Sequence, residues 1–390
     1  MKREIAFYNQ IDYPYEAYQT LCWIGQGDEQ KFKEFKDSIL KKYGANSEHV
    51  RNCIALDEDV LARVCTAFTG RLEEIKELFG EIENEIIPAD LVLCWTNMMT
   101  PERKIYEDST GIRQDYEKKM PQERDACFLY ELARGIEEKE FDSLVGCRQR
   151  GVVVSEADRI RNIFSYIQSM EIKQESKLRI QELYLKREYY FGRATALMDE
   201  TVAILKEFEG RMQQLCHTWG AYWESLVAEE KFFKKFEGVI ELSDDMFTNG
   251  FCLVPSVIQC AALLISVKGK MIPSEETYMA TCRIGVMLTD GFDWNCEVKE
   301  EYRLDEMIPM WKALGDKSKA EILLFIKDKP AYGSEIAKQF SLTTATVSHH
   351  MNKLVQLRLV QPDLRDGKVY YQVRKEALRE LFEHAAKLFE

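Results

Sequence analysis

Apolar side chains recur at helical spacing through most of this 390-residue chain. Phe32, Phe35, Ile39 and Leu40 share one helical face, as do Leu61, Val64, Cys65 and Phe68. Tyr15 to Ile24 reads as a helix behind Pro14, and Lys2 to Tyr8 as a short strand. Ser155 opens a further helical stretch, with Asp158 three residues on as in a capping box. From Ala194 to Leu226 the apolar positions keep near-heptad spacing, which predicts one long amphipathic helix. The pattern changes after Gly238. Val239 to Leu242, Ser256 to Val267 and Thr281 to Leu288 are short and partly β-branched, with a turn signal at Lys268-Gly269-Lys270. They predict a small antiparallel sheet within 238–290, packed on the helices. Residues 290–303 are polar and read as a connector.

Beyond the connector the order of elements becomes specific. Asp305 to Leu314 and Lys319 to Lys327 are helix candidates. A short helix from Ser334 to Phe340 and a longer one from Thr343 to Leu357 follow. Val360 to Pro362 and Lys368 to Val373 read as strands around a loop containing Asp366-Gly367, a hairpin signal. A last helix carries Leu378, Leu381, Phe382, Ala385 and Leu388 on one stripe. This is the order of a winged helix-turn-helix. The expected architecture is mainly α with small β elements. A large helical domain with a small sheet spans 1–300, and a winged helix-turn-helix domain spans 304–390.

Charge sharpens the division. The net charge is −13, which alone argues against a nucleic-acid partner. Residues 1–300 carry a net −15, whereas 312–375 hold twelve basic against six acidic residues, a net +6. A basic module on an acidic body fits DNA binding by the module. An α-helix fits the major groove of B-DNA and presents polar groups to base edges. With Ala337, Leu342, Val347, Met351 and Leu354 facing inward, Thr343, Thr344, Thr346, Ser348, His349 and Lys353 are left to face outward. Arg365 and Lys368 sit at the hairpin tip, in reach of phosphates.

These residues resemble the ArsR-type transcriptional regulators. The likeness runs through Lys312-Ala313-Leu314-Gly315-Asp316, Glu321-Ile322-Leu323, Ser334-Glu335-Ile336-Ala337, Thr346-Val347-Ser348-His349-His350 and Gly367-Lys368-Val369-Tyr370-Tyr371. It covers about the last 80–90 residues. It implies a homodimeric DNA-binding regulator, usually a repressor released by an effector, with His349 on the recognition helix. Metal-sensing members carry a C-x-C before that helix. This chain has Tyr332 to Ile336 there and no cysteine after Cys296, so no metal site is expected. Sensing is expected in the domain before residue 300, by a small-molecule effector or a protein partner.

Other chemistry is thin. His349 and His350 are adjacent on a helix, point about 100° apart and cannot grip one ion. The eleven cysteines are scattered, with no C-x-x-C pair, and read as small hydrophobes. Trp95, Trp219, Tyr222 and Trp223 read as core, with a ligand pocket as the alternative. No G-x-S-x-G, GxGxxG, P-loop or H-E-x-x-H occurs, so neither an enzyme nor a cofactor is expected. No apolar stretch behind Met1 to Glu4 suggests a leader, and no run spans a membrane, so the expected location is cytoplasmic. Two functional readings remain. The first is a dimeric regulator bound to a double-stranded DNA operator. The second is a winged-helix protein-interaction module without sequence-specific DNA binding. For the dimer, the expected interface is Trp311, Leu378, Leu381, Phe382, Ala385 and Leu388, because nothing follows the last helix to cover its stripe.

Overall fold

A computed structural model describes residues 5–27, 29–40, 47–84, 86–93, 106–133, 138–146, 154–229, 231–232, 235, 251–266, 280–290, 304–365 and 368–388. Trp95, the segment Val239 to Leu242, the turn at Lys268 to Lys270 and most of the connector lie outside them. The chain divides into two compact units. One comprises Met1–Leu132, Cys147–Gln168 and Ile172–Trp294; the other comprises Ala133–Gly146, Ser169–Glu171 and Asn295–Glu390.

The first unit is helical around one small sheet. Strand β1 (Ile5–Phe7) leads into α1 (Tyr13–Gln26), α2 (Glu29–Ile39), α3 (Glu48–Ala67), α4 (Leu72–Phe79), α5 (Pro88–Leu93), α6 (Thr110–Lys118) and α7 (Pro121–Leu132). Helix α8 (Glu138–Val145) belongs to the second unit; α9 (Glu156–Ser169), α10 (Gln174–Leu185), α11 (Arg187–Leu205) and α12 (Glu209–Ala228) follow it in the chain. Strands β2 (Phe251–Ser256), β3 (Leu263–Ser266) and β4 (Ala280–Gly285) complete the unit. Ser155 caps α9 as expected, accepting from the Asp158 N–H at 3.2 Å. The stripe from Ala194 to Leu226 is not one helix: a 3₁₀ turn at Lys206–Phe208 divides it into α11 and α12. Trp219 and Trp223 are wholly buried, so this stripe is core.

The small sheet is mixed, not antiparallel. Its order is β1-β2-β4-β3, with β1, β2 and β4 parallel and only β3 antiparallel to β4. Parallel pairing requires long connections, and here the helical body lies between β1 and β2. Every residue of β2 is buried, as in strands covered on both faces. Pro255 is tolerated in this central strand for a geometric reason. The Leu253 carbonyl accepts from Tyr8 N–H at 2.9 Å, so the β1 side is also where the Pro255 nitrogen points. β1 pairs only as far as Leu253, so the missing N–H lies past its end.

Buried charge ties α1 to this sheet. The Glu16 carboxylate accepts from the N–H groups of Val257 at 2.9 Å and Ile258 at 2.8 Å. Arg283 donates to Asp12 at 2.6 Å and stacks 3.9 Å above the Tyr15 ring. Both links join residues more than 240 positions apart, so they set tertiary placement rather than local structure. Trp223 Nε1 donates to the Leu288 carbonyl at 3.0 Å and fastens α12 to the loop after β4. Eight described cysteines are free, seven of them buried.

The second unit contains the C-terminal elements: α13 (Leu304–Gly315), α14 (Lys317–Ile326), β5 (Ala331–Tyr332), α15 (Gly333–Phe340), α16 (Thr344–Gln356), β6 (Val360–Arg365), β7 (Lys368–Val373) and α17 (Lys375–Leu388). Asp316 caps α14 by accepting from the Lys319 N–H at 3.0 Å. Their core gathers Met307, Ile322, Ile326, Ile336, Val347, Met351, Leu354, Leu359 and Leu381. The wing is a three-stranded antiparallel sheet in the order β5-β7-β6. Its hairpin closes at the pair Arg365 and Lys368. Among the described residues no helix is long and apolar enough to cross a membrane.

Burial pushes the Glu16 carboxyl up to about 7 against its two backbone donors. The folded protein therefore keeps a proton that the unfolded chain releases near 4.5. This contribution is full below about pH 4.5, falls as pH rises and is gone above about 7, amounting to roughly 3 kcal/mol. Glu16→Gln should remove that slope from the stability profile. Denaturant melts across pH 4.5–7.5 check this, and identical slopes in both proteins would show that Glu16 does not titrate there.

Candidate nucleic-acid interface

The helix-turn-helix is made by three residues between α15 and α16. Ser341 ends α15 in the left-handed region at φ 54°, and its N–H returns to the Ala337 carbonyl. The Leu342 N–H bonds the same carbonyl at 3.0 Å, and its side chain packs against the core. Thr343 then caps α16: its Oγ1 accepts from the Thr346 N–H at 3.1 Å. The start of α15 was expected at Ser334, but Tyr332 is the cap residue, and its N–H donates to Glu335 Oε2 at 3.2 Å.

Helix α16 ends as definitely as it begins. Arg358 adopts the left-handed conformation at φ 56°. Its N–H bonds the Val355 carbonyl at 2.9 Å, and the Leu359 N–H bonds the Leu354 carbonyl at 2.9 Å. This paired closure, with Leu354 and Leu359 both buried, is a Schellman motif. Val347, His350, Met351 and Leu354 are all buried and hold one face of the helix down. Burial pushes the His350 imidazole below its ordinary value, with Lys319 and His349 acting in the same direction.

The outward face differs in part from the expected one. Thr343 and Lys353 are exposed, and Thr344, Ser348 and His349 are partly exposed. Thr346 is not outward. It is 8% exposed, and its hydroxyl lies 2.9 Å from that of Thr343. It therefore does not belong to the outward-facing set. Asn352 and Gln356, which were not expected in the site, are exposed. Their signal was present in the sequence, because His349, Asn352, Lys353 and Gln356 keep i, i+3, i+4, i+7 spacing. The wing strands bring Arg365 and Lys368 opposite each other, while their side chains lie outside the described residues.

The expected dimer stripe is divided by the fold. Leu381 is fully buried in the module's own core, contrary to the expectation that the stripe is left uncovered. α17 folds back on that core itself. Leu378, Ala385 and Trp311 are partly buried against the same core, and Phe382 is 60% exposed. The Leu388 side chain lies outside the described residues.

Helix, turn, anchored second helix and three-stranded wing define a winged helix-turn-helix DNA-binding module. The family model described as "Bacterial regulatory protein, arsR family" matches residues 316–361, from the cap of α14 into β6. The C-terminal module is thus an ArsR-type helix-turn-helix, and the protein is a DNA-binding transcriptional regulator. A curated relative, the transcriptional repressor SdpR of Bacillus subtilis (strain 168), is 25% identical over 71 residues, which is 18% of this chain and 79% of that protein. No solved structure matches the chain.

Because the Thr343 hydroxyl is committed to the helix, Thr343→Ala should cost about 1 kcal/mol of stability. Ser341→Gly should act the other way, by up to about 1 kcal/mol, since a left-handed L residue is strained. Thermal melts of the two variants test the turn, and an unshifted Thr343→Ala melt would show that the cap contributes nothing.

Proposed function

We propose that the protein is a homodimeric repressor. Its α16 reads a double-stranded DNA operator, and an effector or partner protein, rather than a metal, controls it through the helical N-terminal unit. The observation that carries this reading is the combination of an anchored helix, an outward polar face and a local net charge of +6 on an otherwise acidic chain. Affinity comes chiefly from phosphate contacts and specificity from base edges. The name of the matched relative supports repression. The departure from C-x-C before α16 supports a non-metal signal.

Exposed Phe382 supports dimerisation through α17, with Ile308 of α13 also exposed at 39%. Pairing two such surfaces about a twofold axis would set two recognition helices about one DNA turn apart. Buried Leu381 serves the fold, so the interface centres on Phe382.

Replacing Ser348 and His349 with Ala should weaken operator binding by roughly 1–3 kcal/mol per lost base contact and relax its sequence preference. Arg365→Ala and Lys368→Ala should instead weaken all sequences alike and lower the salt slope by about one per lost phosphate contact. Binding titrations over a salt series separate the two effects, and a Ser348/His349 double mutant with wild-type affinity and preference would exclude these two side chains as readers. Phe382→Glu should give a folded monomer by sedimentation; a dimer of unchanged stability would place the interface elsewhere.

A further inference from the structure

Asn352 stands out among the groups on α16. At 100° per residue, His349, Asn352, Lys353 and Gln356 fall within about 50° of the line through the middle of the outward face. The buried set Val347, His350, Met351 and Leu354 occupies the opposite side. Asn352 is exposed, and its amide has no hydrogen-bond partner among the described residues. Thr343 and Thr346, by contrast, spend their hydroxyls on each other and on the helix cap. Lys353 lies at one edge of the face, where a cation reaches backbone phosphates. Asn352 lies toward the other edge, above Ser348 and beside His349.

We infer that Asn352 is a specificity-determining residue and that it reads an adenine in each operator half-site. This rests on the reading of α16 as the DNA-reading helix. An Asn carboxamide offers one acceptor and one donor side by side, which match N6–H and N7 of adenine in the major groove. No other base presents that pair in that groove. Asn352 follows His349 by three residues, a rise of about 4.5 Å along the helix, comparable with the roughly 3.4 Å separating successive base pairs. The adenine is therefore expected next to the base pair that His349 faces. The short side chain of Ser348, one turn earlier, lets the backbone approach the groove closely enough for an amide to reach. An acidic side chain in the same place would accept from cytosine N4, so Asn352→Asp converts the expected preference from adenine toward cytosine.

The test is selection from a random-sequence DNA pool with the full-length protein, followed by titration of the selected site and its single-base variants. Wild type should select a site with one strongly preferred adenine per half-site. Asn352→Ala should lose roughly 5- to 150-fold discrimination at that position alone, and Asn352→Asp should shift the preference there toward cytosine. Because Asn352 is exposed and makes no hydrogen bond among the described residues, and Ala favours a helix interior over Asn, Asn352→Ala should melt no lower than wild type, which separates reading from folding. If wild type selects a sequence but Asn352→Ala recovers the same one with uniformly weaker binding, Asn352 touches only the backbone. The inference then fails while α16 remains the reader. If wild type selects no sequence at all, the DNA-reading role of α16 fails, and this inference with it.

Discussion

The inward anchoring of α16 is the constraint on which its outward polar face depends. Val347, Met351 and Leu354 are completely buried, with His350 beside them. A helix has no freedom to rotate once three residues over two turns are fixed in a close-packed core. The same packing therefore decides which side chains face away, and in which order along the axis. The ends are held too. Thr343 closes the N-terminus, and the left-handed Arg358 lets Leu359 turn back into the core. A substitution in the buried face would rotate or loosen the whole polar stripe, while one in the outward face changes a single contact.

Capping draws on the same small polar side chains that would otherwise face outward. Threonine and serine hydroxyls satisfy orphan N–H groups well, and they also suit a groove. At the start of α16 the helix takes precedence, and Thr343 with Thr346 forms a closed pair. The longer amides and the cation further along have no such local use. The division explains why the outward face extends into the second half of the helix, through Asn352, Lys353 and Gln356. The net charge of −13 is an average over the chain: residues 312–375 carry a net +6 and residues 1–300 a net −15.

The N-terminal unit follows a different rule. Its sheet is small and buried, and α1 is locked to it by ionic groups. Glu16 receives two backbone N–H groups, and Arg283 is held between Asp12 and the Tyr15 ring. Burying groups of this kind is costly, and Arg283 Nε and Nη1 have no hydrogen-bond partner among the described residues, so the links to Asp12, Tyr15, Val257 and Ile258 offset that cost only in part. They come from segments about 240 or more residues apart, which is why no local motif announces them.

The winged order was legible because its signals are local. Helical spacing placed α14 and α16, Asp366-Gly367 placed the hairpin, and the inward set Ala337, Leu342, Val347, Met351 and Leu354 followed from a period of 3.6. Each of these depends on neighbours within a few residues. Tertiary structure decided the rest. Two-residue β5 carries no pattern of its own and exists only because β7 offers it an edge. The first sheet is mixed: β1 reaches β2 in parallel from across the helical body, β2 and β4 are also parallel, and only β3 and β4 keep the antiparallel pairing that the sequence near 238–290 suggested. Thr346 turned inward through a hydroxyl pair, and Leu381 was claimed by the module's own core. Periodicity shows which residues share a face, but only the packed neighbours determine whether that face is covered.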